Sequence, residues 1–130
     1  MPTFAWDGPL TSVMAIAGPP LRIDYPGRVG DDLTIDDGKL SARGALLQTL
    51  SHLVAEIHDL DGIERFLHIR GYVCATPEFD KVHHVVGAAN ALVGELFGDT
   101  ALASRTAVGV ATLPEHASVV LDTVVALRRG

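Results

Sequence analysis

Arg105-Thr106-Ala107-Val108-Gly109-Val110-Ala111-Thr112-Leu113-Pro114 is the stretch from which the rest of the chain is read. An arginine is followed by small residues, then Leu113-Pro114, and a second apolar segment, Ser118 to Leu127, comes directly after. This predicts two strands, 104–111 and 118–127, joined by Thr112 to His116. A guanidinium at the start of the first strand offers a rigid planar fork of donors that fits a carboxylate through two parallel hydrogen bonds.

Upstream, Ser12 to Ala17 reads as a short buried strand stopped by Gly18-Pro19-Pro20. Thr34 begins a helix, with Asp37 three positions on where a capping-box acid belongs. Leu40, Leu47, Leu50, Val54 and Ile57 recur at helical spacing, predicting one apolar face that runs to about His58. Gly44 inside this helix costs about 1 kcal/mol relative to alanine, and close packing on a sheet is the expected compensation. Asp59 to Gly62 is a turn, and Ile63 to Ala75 a long strand. Strict alternation puts Leu67, Ile69, Gly71 and Val73 on one face and Phe66, His68, Arg70, Tyr72 and Cys74 on the other. Both faces carry substantial side chains, so one should pack on helices and the other on something else. Thr76-Pro77-Glu78 predicts the start of a second helix, with Phe79, Val82, Val86, Ala89, Val93 and Leu96 as its stripe and Gly98 as its left-handed cap. The order is strand, helix, strand, helix, strand, strand, without repeat, linker or low-complexity segment.

The length of 130 residues argues for one domain covering 1–130. Hydrophobic residues make up 48% but aromatics only 5%, so the core is expected to be mainly Val, Leu, Ile and Ala. The formal charge of −6, without a basic run, argues against a nucleic-acid partner, because such affinity depends on neutralising phosphates. No apolar run approaches the roughly 20 residues of a membrane helix, and no secretory signal is read at the N-terminus, so no membrane partner is expected. Cys74 is the single cysteine, which rules out an internal disulfide and fits a reducing cytoplasm.

The stretch from Arg105 to Pro114 with its following strand resembles the signature of the RidA/YjgF family of reactive-intermediate deaminases, also known as L-PSP endoribonucleases. The helix from Glu78-Phe79 to Leu96-Phe97-Gly98 and the approach Gly30-Asp31-Asp32-Leu33-Thr34 carry the same resemblance, which runs from about Ser12 to Arg128 and is nearest a divergent branch. It implies an α+β, chorismate-mutase-like fold: a mixed sheet against two helices on one face, with three subunits packed sheet to sheet into a homotrimer. It implies that Arg105 binds a small carboxylate or carbonyl compound in a cleft between subunits, and that an enamine or imine is hydrolysed there to a ketone and ammonia. Gly18 matches a pocket glycine that offers backbone amides. Ala17 stands where a serine usually precedes it, and Ala107 where a small pocket cysteine usually stands. Val120 stands where deaminating members carry the glutamate thought to position water, and an aliphatic side chain cannot orient or deprotonate water. No catalytic residue is therefore assigned, and a non-catalytic ligand-binding or regulatory trimer is the alternative. An endoribonuclease is disfavoured by the acidic balance. The N-terminal aromatic that closes the family pocket corresponds to Phe4 or Trp6.

His83, on the second helix where the family's helix approaches the pocket, is a further candidate for a ligand contact. His83 and His84 are adjacent, about 100° apart around a helix, and poorly placed to share a metal; Asp80 and His84 are one turn apart and able to pair. No metal is expected, since no Cys/His or His/Glu spacing suits zinc. No cofactor is expected either, since Gly8, Gly18, Gly27 and Gly30 form no phosphate loop. Cys74 reads as a buried structural thiol rather than a nucleophile.

Overall fold

Alternation in four apolar segments and a helical repeat in two others assemble, in a computed structural model, into a sheet covered on one side by two helices. The structure describes residues 10–16, 25–99 and 102–128. The elements are β1 (Leu10–Ile16), α1 (Ile35–Ile57), β2 (Ile63–Cys74), α2 (Val82–Phe97), β3 (Ser104–Val110) and β4 (Val119–Leu127). The sheet order is β1-β4-β2-β3. β4 runs antiparallel to both neighbours, whereas β3 runs parallel to β2 at the sheet edge. The α+β class, with its mixed sheet and two helices, is the architecture expected from the sequence.

Local chemistry explains the start of α1. The Thr34 hydroxyl accepts from the Asp37 amide at 3.1 Å, and the Asp37 carboxylate accepts from the Thr34 amide at 3.0 Å. His58 ends the helix in a left-handed conformation. The buried face differs from the expected one. Leu40, Leu47 and Val54 are exposed; the stripe that meets the sheet is Ala42, Ala45, Leu46, Thr49, Leu50 and Leu53. Half of this stripe is small (Ala42, Ala45 and Thr49), and its large side chains are Leu46, Leu50 and Leu53 instead of Leu40 and Leu47. Gly44 lies on the solvent side, where an added Cβ would meet nothing within 4 Å, so it is not a close-packing position. Ser41 reaches across to Ser118 through a buried hydroxyl–hydroxyl bond of 2.6 Å, tying α1 to the start of β4.

β2 does not alternate strictly. Its register against β4 shifts between Phe66 and His68, and this turns Phe66 into the core, where it is fully buried and packs on Phe97 at 5.8 Å. Phe66 therefore does not share a face with His68, Arg70 and Tyr72. Beyond the irregularity, Ile69, Gly71 and Val73 face the helices. Gly71 permits the close approach of α2, because a Cβ there would overlap the Val86 side chain. No second layer covers His68, Arg70 and Tyr72 among the described residues.

α2 begins later than the sequence suggested. Thr76 to Phe79 form a turn, with the Phe79 amide donating to the Thr76 carbonyl at 3.1 Å, and the helix starts at Val82. The Thr76 amide is held by the Val29 carbonyl at 3.0 Å, a long-range contact that keeps this segment paired with the 25–33 loop instead of coiling. Leu96 of the expected stripe is exposed, whereas Val85, Asn90 and Leu92 are buried. Gly98 closes the helix with φ of 90° but an extended ψ.

Candidate functional site

The site grows from the alternation of β3. In register with β2, Arg105 pairs with Ile69, Ala107 with Gly71 and Gly109 with Val73. These three β3 residues therefore share the helix side, and Ser104, Thr106 and Val108 face the other way. Arg105 and Ala107 thus come together on one face of the edge strand.

α2 positions this end of β3. Asn90 donates to the Ala103 carbonyl and accepts from the Ala103 amide, both at 3.1 Å. A side-chain amide so imitates a strand partner immediately before Ser104 and Arg105. One helical turn earlier, Gly87 leaves room for the guanidinium: a Cβ there would lie 3.1 Å from Nη1 and 3.5 Å from Cζ of Arg105. Arg105 is exposed, lies over a bare patch of helix, and makes no hydrogen bond or ion pair among the described residues. Its donors are free for a ligand. Gly87 and Asn90 escaped sequence reading, since nothing local links them to Arg105.

His83 and His84 occupy the first turn of α2 with ring centroids 4.3 Å apart, so the rings lean together instead of diverging. His84 sits below the ordinary imidazole value. Desolvation is the leading cause, and the charges of His83, Lys39, Lys81 and Arg105 add to it. Asp80 precedes the helix, and no direct Asp80–His84 hydrogen bond or ion pair is present among the described residues. In a chain of net charge −6, Arg105 therefore stands in a local cationic field. Among the described residues, no group of three or more His, Cys, Asp or Glu side chains gathers as metal ligands.

Val120 stands elsewhere. It pairs with Tyr72, is 8% exposed, and lies on the face of β4 away from the helices, with β2 between it and β3. Within one chain the sheet separates it from Arg105. Ala17, Gly18, Phe4 and Trp6 fall outside the described residues. On the Val120 side, His68 joins the edge strand, with Nδ1 2.9 Å from the Ser104 hydroxyl and Nε2 3.2 Å from that of Thr106. Ser104 donates to the Leu67 carbonyl at 3.1 Å. This assigns the His68 proton to Nδ1 and leaves Nε2 to accept from Thr106.

No family model matches the chain. Its fold coincides with that of a protein of unknown function from Agrobacterium tumefaciens, with a TM-score of 0.90, 30% identity, and coverage of 95% of this chain and 80% of that one. A proposed endoribonuclease from Shewanella oneidensis superimposes with a TM-score of 0.88 at 18% identity, over 95% of this chain and 83% of that one. A Rid-family protein from Yersinia pestis does so at 0.58 and 13% identity, over 92% and 80%. Among curated proteins, Protein TCP17 of Trypanosoma cruzi is 35% identical over 102 residues, which are 78% of this chain and 64% of that protein. The chain thus spans less than two thirds of that relative. No described helix is long and apolar enough to cross a membrane. With its mixed sheet and two helices, the chain has the fold of the Rid-family protein and the related structures on which it superimposes.

Proposed function

We propose that the chain binds a small carboxylate or carbonyl compound through Arg105, in a cleft completed by a second subunit of a cytoplasmic homotrimer. The observation that carries this reading is the free guanidinium over Gly87 on an open sheet edge. A small anion gains both the paired donors of Arg105 and the field of Lys39 and Lys81 that already acts on His84. The second subunit enters because the face bearing His68, Arg70 and Tyr72 has no covering layer among the described residues. Burying such a face against copies of itself removes apolar area worth about 25 cal/mol per Å2.

The reaction implied by the family is hydrolysis of an enamine or imine. With Val120 at the water-positioning place, the reading gives this chain strong binding and weak hydrolysis of 2-aminoacrylate. An RNA substrate is not part of it, since the cationic groups form a small cluster and not a phosphate-tracking stripe. Calorimetry with pyruvate and 2-oxobutyrate is the test. Arg105→Ala, exposed and unpaired, should leave the fold intact and weaken binding by about 2–5 kcal/mol; unchanged binding removes Arg105 from the site. Light scattering at micromolar concentration should report a trimer, and a monomer defeats the shared cleft.

A further inference from the structure

At the end of β3 opposite Arg105, two cavities meet at Arg28. The first, of about 320 Å3, is polar: Arg28, Asp31, Asp32, Thr112 and His116 line it, with the Cys74 thiol in its wall. The second, of about 280 Å3, has Ala75, Pro77 and Phe79 along it, with Arg28 again at its border. Their walls are tied together. The Gly27 amide donates to the His116 carbonyl at 2.9 Å, Val29 to Cys74 at 2.8 Å and Ala75 to Val110 at 3.1 Å. Glu115 and His116, consecutive non-glycine residues, both hold φ of 59°, a strained conformation fixed by this bracing.

The charges here are not spent on each other. One Arg28 donor, Nη2, is used on the Ala111 carbonyl at 3.2 Å, and no carboxylate pairs with the guanidinium among the described residues. Asp32 accepts from the Arg28 backbone amide at 3.4 Å, and Asp31 makes no side-chain hydrogen bond among the described residues. Charges of both signs that are not paired with each other at one cavity, beside a second cavity lined by Phe79, describe the complement of a small zwitterion with an apolar body. A ligand with only one charge would leave one of these groups desolvated and unpaired. The volumes stand near the lower end of the roughly 300–1,000 Å3 of small-molecule sites.

We propose that this cavity pair binds a free α-amino acid with an apolar side chain. Its carboxylate lies on Arg28, its ammonium on Asp31 and Asp32, and its side chain against Phe79 and Pro77. The site is separate from Arg105 and does not depend on the function proposed for that residue.

Amide chemical shifts of the full-length protein, titrated with L-phenylalanine, test the proposal. Saturable shifts are expected at Val29, Cys74, Ala111 and Thr112. 3-Phenylpropanoate, lacking the ammonium, and 2-phenylethylamine, lacking the carboxylate, should each bind there about tenfold more weakly or worse. Arg28→Ala and Asp31→Asn should abolish the shifts, and Arg105→Ala should leave them. Asp31 is exposed and makes no side-chain hydrogen bond among the described residues, so its variant keeps the fold even if Arg28→Ala loosens the 25–33 loop. Because Cys74 is the single cysteine, slower thiol labelling in the presence of L-phenylalanine reports the same event. Absence of saturable shifts overturns the proposal. So does equal binding of the two singly charged analogues, or loss of the shifts in Arg105→Ala with their survival in Arg28→Ala.

Discussion

The Asn90 side chain holds the backbone of Ala103 from both sides, donating to its carbonyl and accepting from its amide at 3.1 Å each. This bond pair fixes where β3 begins and so where Arg105 leaves the sheet. Asn90→Ala leaves a strand-end amide and carbonyl unsatisfied in a site where Asn90 itself is 8% exposed. Chemical denaturation should show a loss of about 1–3 kcal/mol. Carboxylate affinity measured under native conditions should also fall, although the variant touches no ligand. A stability loss with unchanged affinity would make Asn90 purely structural.

The cationic field around Arg105 has a sign that titration reads. His84 lies below its ordinary value, so it is neutral over more of the acidic range than a free imidazole. As pH falls through that ordinary value, the unfolded chain takes up the proton first, and His84 ceases to favour the folded state. In an NMR titration, His83→Ala and Lys39→Ala should each raise the His84 midpoint, and Arg105→Ala should raise it least, following the order of their contributions. A bound carboxylate should raise it too, by cancelling part of the field. A midpoint at or above the ordinary imidazole value in the unmodified protein contradicts this electrostatic account.

Core and surface positions on the long elements should separate cleanly. Phe66→Ala empties a fully buried site beside Phe97 and should cost about 3–5 kcal/mol. Leu47→Ala, at 54% exposure on α1, should change stability by less than about 0.5 kcal/mol. Gly71→Ala should cost about 1–3 kcal/mol, because its methyl group would press on Val86 and α2 would have to withdraw. Denaturant midpoints decide all three; equal losses for Phe66 and Leu47 would restore the apolar face suggested by sequence periodicity.

Features encoded within a few residues were legible beforehand. The Thr34–Asp37 capping box needs only its four-residue spacing, and the two strands around Leu113-Pro114 show in their own apolar residues and the turn between them. What depended on distant contacts was not. The buried stripe of α1 combines Ala42, Ala45 and Thr49 with Leu46, Leu50 and Leu53, and nothing local distinguishes those leucines from the exposed Leu40 and Leu47. Phe66 was misplaced because the register irregularity beside it breaks the two-residue period. The start of α2 was misplaced because Val29, far upstream, captures the Thr76 amide. Gly87 acquires its part only when Arg105 folds over it. Val120 was assigned a place in the family pocket from its spacing to Arg105, and spacing carries no information on which side of the sheet each residue faces.

That last separation yields a test of the shared cleft. Within one chain, Val120 lies across the sheet from Arg105, so a carboxylate at 120 can assist a substrate on Arg105 only when the two come from different subunits. The unmodified protein should release ketone and ammonia from freshly generated 2-aminoacrylate slowly, and Val120→Glu should accelerate it, since general acid–base assistance is typically worth about 10²–10⁴-fold. The double variant Arg105→Ala/Val120→Glu should be inactive because it lacks the anchor. Mixed trimers of this double variant with unmodified chains should recover activity: one subunit supplies the arginine and its neighbour the acid. Light scattering on each preparation checks that assembly survives a carboxylate at a position that is 8% exposed in the single chain. If Val120→Glu is active but the mixed trimers are not, the reacting groups meet within one chain and the intersubunit cleft is wrong. If Val120→Glu gains nothing in an intact trimer, position 120 is not where the water is held. Carboxylate binding through Arg105 would then stand without a hydrolytic step.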